Sequence, residues 1–156
     1  MPAALKNTIA GFVAGAITVL LFHQVMYWLL KMAGMPLQGT PWNFTALPAA
    51  YGLPTLLNQM FWGGLWGVLY AAICDRLPGQ DVVKGMIFGC LFPMLLGSWL
   101  VVPLIKGGPL FSGAAKDGVM KLLPGLLLNG VAFGIGLALL YPLLAGMIGT
   151  RSSVRR

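Results

Sequence analysis

Four long apolar stretches constrain this chain more than any other feature. They run at about Ile9 to Leu30, Pro54 to Cys74, Lys84 to Ile105 and Leu122 to Ala145. At 1.5 Å per helical residue, each stretch of roughly 20 residues matches the roughly 30 Å of a bilayer's hydrocarbon core. The runs are continuously apolar, whereas membrane β-strands alternate with polar lumen-facing residues, so helices are expected and a barrel is not. The first stretch follows Lys6 and is about 22 residues long. That exceeds the apolar region of a signal peptide, roughly 7–15 residues, and it is expected to be retained.

Composition agrees. Of 156 residues, 58% are hydrophobic and 8% charged, a balance that lipid solvates better than water. The expected fold is all-α: an integral membrane four-helix bundle forming a single transmembrane domain over 1–156. The net charge of +7 then reads as topology and contact with anionic headgroups, with no nucleic-acid partner. Lys6, Arg76, Lys84, Arg151, Arg155 and Arg156 fall on one side of such a bundle. Lys31, Lys106, Lys116 and Lys121 fall on the other. The excess of cations places both termini inside.

The first helix pair recurs in the second with the same orientation, which predicts an internal repeat over 8–77 and 82–147. Gly11-x-x-x-Gly15 matches Gly85-x-x-x-Gly89. Lys31 and Pro36-Leu37 match Lys106 and Pro109-Leu110. Leu53-Pro54, Asn58, Gly63 and Tyr70 match Leu123-Pro124, Asn129, Gly134 and Tyr141. Two helical hairpins related by a pseudo-twofold axis along the membrane normal would follow. The pairs Gly11/Gly15, Gly63/Gly67, Gly85/Gly89 and Gly130/Gly134 put a GxxxG in every span. Inside lipid, small residues let helix backbones approach and gain van der Waals contact. These faces either close the chain's own bundle or bind a second copy. Pro93, Pro103 and Pro142 are expected to kink their helices.

Polar residues at depth are few: His23 and Gln24, Asn58 and Gln59, Ser98, and Asn129. His23 and Ser98 each lie seven residues in from their outer helix ends, and Asn58 and Asn129 lie about one turn after Pro54 and Pro124. They make a candidate layer in the outer half of the bilayer. His23, Tyr27 and Lys31 follow at i, i+4 and i+8, so one helix face would run from that layer toward the surface. Such groups act either as hydrogen-bonding glue between helices or as a site for a proton or polar solute, for which an imidazole that ordinarily titrates at about 6.5 is suited. Lys31 could equally snorkel to the headgroups. The uncharged loop from Gly34 to Gly52, with Pro36, Pro41, Trp42, Pro48 and Tyr51, belongs at the interface or over a site between the helices. Asn43-Phe44-Thr45 is formally a glycosylation sequon, in a chain with no other sign of a eukaryotic secretory route. Trp62 and Trp66 share a face of the second helix and are expected to pack or face lipid.

Several chemistries are disfavoured. There is one His, no Glu, and the carboxylates Asp75, Asp81 and Asp117 lie in loops or at helix ends, so no metal site, cofactor or buried carboxylate relay is expected. Cys74 and Cys90 lack metal-ligand spacing and read as small buried residues. No P-loop, GxSxG or HExxH occurs. An enzyme is not expected.

Phe22-His23-Gln24, Pro41-Trp42-Asn43 and Phe61-Trp62-Gly63-Gly64-Leu65-Trp66-Gly67 resemble a family of small four-helix bacterial inner-membrane proteins. The resemblance spans nearly the whole chain and implies a bacterial cytoplasmic membrane. It transfers no activity and no functional residue. The expected function is that of a non-catalytic membrane protein acting through helix packing, as a homo-oligomer or an accessory subunit of a larger complex, with lipids as its surroundings. The alternative is a small channel or transporter built on the polar layer around His23.

Overall fold

A computed structural model describes residues 1–48, 51–108, 110–113 and 122–149. Lys116, Asp117, Lys121, Arg151, Arg155, Arg156 and Pro109 lie outside the described residues. The chain is all-helical apart from one short ladder. Helix α1 runs Ala3–Met32, α2 Thr55–Ile73, α3 Asp81–Ile105 and α4 Leu123–Met147. In the loop between α1 and α2, β1 (Ala46–Leu47) pairs antiparallel with β2 (Leu53–Pro54), Ala46 opposite Pro54 and Leu47 opposite Leu53.

The helix ends follow local chemistry. Pro54 stands just before α2, and Pro124 lies in the first turn of α4, where a missing N–H costs nothing. Gly34 (φ 80°) and Gly107 (φ 64°) adopt the left-handed conformation beyond α1 and α3. There Met35 N–H reaches back to Leu30 O (3.0 Å) and Gly108 N–H to Pro103 O (2.9 Å), satisfying carbonyls that the helix leaves open. Three helices, α1, α3 and α4, are long and apolar enough to cross a membrane. Asn58, Gln59 and the Trp62, Trp66 and Tyr70 rings make α2 less apolar.

Glycine sets how closely the helices pack. A side chain at Gly15 would strike the Gly63 carbonyl, and one at Gly67 the Gly11 carbonyl. In the second pair, Gly85 and Gly134 abut each other's carbonyls, and Gly89 abuts Asn129 O and Gly130 Cα. The pairings run in opposite directions along the two helices, so α2 returns antiparallel along α1 and α4 along α3. All eight of these glycines are buried inside the chain. By contact, Gly63 and Gly67 correspond to Gly130 and Gly134. That is one helical turn from the alignment through Asn58/Asn129 and Tyr70/Tyr141.

The pairs meet through larger groups. Tyr70 of α2 stands edge-on to Phe88 of α3 (centroids 5.1 Å) and Tyr141 of α4 (5.8 Å). Trp66 covers Gly97, and Thr18 and Phe22 of α1 fill the space over Gly136 of α4. Ala10, Ala14, Val19, Leu56, Phe133, Leu137 and Ala145 complete the core. The outside is as apolar as the inside. Leu57, Phe61 and Leu65 of α2 point outward, as do Leu91 and Leu96 of α3 and Leu139 and Leu143 of α4. A water-soluble protein does not carry contiguous apolar faces of this extent.

Pro93 lies within a wide-turn, π-helical stretch of α3, Cys90–Val101, and Pro142 lies inside α4. A second wide stretch occupies Leu126–Phe133 of α4. At Val19–His23, α1 has a single wide turn.

Candidate functional site

That wide turn builds the site. A π-turn bonds i to i−5, so one carbonyl loses its usual partner. Here Gln24 N–H is shared between Leu21 O and Val19 O and leaves Leu20 O, which instead accepts the Trp42 indole Nε1–H at 3.0 Å. The Gln24 side chain, 2% exposed, works in both directions. Its Oε1 accepts Trp42 backbone N–H (2.9 Å), and its Nε2 donates to Gln59 Oε1 (2.7 Å). Further out, Tyr27 OH donates to Gln38 O and Lys31 Nζ to Gly39 O. Gln24, Tyr27 and Lys31 stand at i, i+3 and i+7, one face of the helix after the wide turn.

Residues 38–43 therefore form a strap gripped by α1. Its far end is fixed to the start of α2. Asn43 Oδ1 accepts Thr45 N–H (2.8 Å), Asn43 O accepts Leu56 N–H (2.8 Å), and Thr45 O accepts both N–H and Oγ1–H of Thr55 (3.0 Å each). Trp42 sits at φ +48°, a conformation that costs an L-residue roughly 1–2 kcal/mol and persists only where neighbours enforce it. Two hydrogen bonds from Trp42 itself do so.

The structure brings together four of the eight candidate polar residues. Gln24 and Gln59 bond to each other, and Tyr27 and Lys31 join them through the strap. His23 is not on this ladder; its Nδ1 is buried with no hydrogen-bond partner. Ser98 is exposed, and its hydroxyl donates to the Pro93 carbonyl of its own helix (3.0 Å). Asn58 and Asn129 are half-buried. Sequence reasoning missed three participants: the Leu20 carbonyl, Trp42 as a bonding partner, and Thr18. The Thr18 side chain is wholly buried, with Oγ1 unpartnered. Trp42 in an uncharged Pro-Trp-Asn turn carried a signal for headgroup depth or for a loop over the helices, but not for a specific bonding partner.

Beside this polar end, α1 and α4 enclose an open apolar groove of about 440 Å³, lined by Leu21, Phe22, Val25, Met26, Val131 and Ile135 among others. Cys74 and Cys90 are half-buried and not joined in a disulfide. Among the described residues no group of His, Cys, Asp or Glu could hold a metal ion. The polar groups can accept or donate hydrogen bonds, and all those on the ladder do so within the chain. No known protein family, no curated protein and no solved structure matches this chain.

Proposed function

We propose that this is a non-catalytic multi-pass protein of a bacterial cytoplasmic membrane, a four-span bundle that acts through its outer helix faces as a homo-oligomer or accessory subunit. The observation that carries this is how the polar side chains are used. Gln24, Gln59, Tyr27 and Lys31 hold the chain's own strap, and Ser98 bonds its own helix. The outward-facing helix surfaces are left apolar, suited to lipid and to other membrane helices.

A spanning α2 is favoured by its pairing. Its glycines meet those of α1 at the same depth, its 19 residues reach about 28 Å, and its outward face is Leu57, Phe61 and Leu65. Its less apolar residues lie in part toward the interior, where Gln59 is bonded. The matching contacts in α1/α2 and α3/α4 favour two hairpins related by a pseudo-twofold axis. Lys6, whose Nζ comes 3.8 Å from the side-chain position of Gly149, puts the start of α1 beside the end of α4. The cation bias assigns that side to the cytoplasm. The partners are lipids and another membrane chain, with no cofactor or nucleic acid.

The test is the mass of the complex in a native-like lipid particle, with a mild pull-down from its own membranes. A second copy or a stoichiometric larger partner is expected; a lone monomer counts against the proposal. One observation favours the channel or transporter instead: His23 Nδ1 and Thr18 Oγ1 are buried and unpartnered, and orphaned polar atoms inside a membrane mark solute or proton paths. Flux in proteoliposomes that His23→Ala abolishes, with unfolding unchanged, would select that reading.

A further inference from the structure

The wide turn of α1 accommodates one residue more than an α-turn, and the extra residue decides which side chains face the strap. With the turn wide, Gln24, Tyr27 and Lys31 hold it. If Gln24 N–H returned to Leu20 O, the helix beyond would advance by one residue. His23 would take the bearing of Gln24, Met26 that of Tyr27, and Leu30 that of Lys31. Neither Met26 nor Leu30 can donate to the Gln38 and Gly39 carbonyls. The strap would lose its ties together, and His23 would stand opposite Gln59.

Leu20 O accepts the Trp42 indole, while Gln24 N–H, its ordinary α-helical partner, is turned to Leu21 O and Val19 O. The wide state carries two unfavourable features, the left-handed backbone of Trp42 and the orphaned Nδ1 of His23. Both are relieved in the tight state. Against them stand the hydrogen bonds of the strap. Opposing terms of similar size, switched by a one-residue register change, make a two-state element.

The geometry points to a register switch in α1, in which Trp42 holds the wide turn and its release exchanges Gln24 for His23 at the strap. This goes beyond the partner question and does not depend on it. The switch links the outer loop to the membrane interior, because Thr18 and Phe22, which flank the turn, pack on Gly136 of α4.

The chain's single histidine gives a direct readout. In lipid particles, diethyl pyrocarbonate modification of His23, followed by peptide mass spectrometry, should be slow for the unaltered chain. Trp42→Phe keeps an aromatic ring but removes the indole N–H, and should accelerate modification by roughly tenfold, the population change expected from losing one hydrogen bond. Deleting Leu21 removes the extra residue and leaves Gln24 in its present bearing on an uninterrupted α-helix. The deletion combined with Trp42→Phe should therefore restore slow modification. An unchanged rate in Trp42→Phe overturns the switch. A fast rate that the deletion fails to restore also overturns it, because the loop would then have loosened without a register change.

Discussion

The two helix pairs close in the same way and are fastened differently. In α1/α2 and in α3/α4, glycines press backbone on backbone with the same spacing and opposite direction. Among the described residues, only the first pair adds a polar fastening at its loop end, with Gln24, Gln59, Tyr27, Lys31 and Trp42 joined through the strap. In the second, Ser98 bonds within its own helix, and the long wide-turn stretches Cys90–Val101 and Leu126–Phe133 occupy the corresponding half. Packing is thus common to both hairpins, and among the described residues the specific polar geometry belongs to one.

The largest expected effects test what the pairs share. Gly15→Val and Gly89→Val each drive a side chain into a backbone carbonyl that cannot yield. Each should cost about 3 kcal/mol or more in unfolding measured in mixed micelles. Gly146→Val, with open space around it, should change nothing. Unequal losses at Gly15 and Gly89 would break the equivalence of the pairs.

The next effects test what they do not share. Gln24→Leu strands the half-buried Gln59 amide and the Trp42 N–H and should cost about 1–3 kcal/mol. Gln59→Leu should cost less, because Gln24 keeps Trp42 N–H. The double substitution should fall short of the sum, the signature of direct coupling in a double-mutant cycle. Asn43→Ala removes the side-chain acceptor for Thr45 N–H at the far end of the strap, and a loss of about 0.5–1.5 kcal/mol is expected from thermal unfolding. Smallest of all, Ser98→Ala should stay within about 0.5 kcal/mol, since an exposed hydroxyl bonded to its own helix holds nothing else. A larger cost there would show that the second pair has a polar fastening of its own.

Much of the architecture could be read from composition and spacing, because the requirement to bury backbone in lipid leaves few solutions. Three helices match it by length and apolarity. The glycine pattern marked the contact faces, but not the register within the second pair. Alignment through Asn58 and Asn129 rests on polar identities, whereas contact is decided by where backbones approach, one turn away. The candidate site was half legible for a related reason. Tyr27 and Lys31 stand on one face as their spacing requires, yet the residue beneath them is Gln24, not His23. A π-turn shifts the face by one residue, and it depends on a distant indole that no local pattern in α1 announces.

The meeting of Lys6 with the last turn beyond α4 has a consequence for how the molecule could be rebuilt. Because the start of α1 and the turn after α4 lie together, the helices could be joined there and opened elsewhere. Each hairpin keeps its backbone-to-backbone glycine contacts within itself, so a permuted order that begins with α3 would preserve those contacts. The strap would also survive, since all its partners lie between α1 and α2. The fold is then specified by which helices are paired, and the order in which the pairs leave the ribosome is incidental to it.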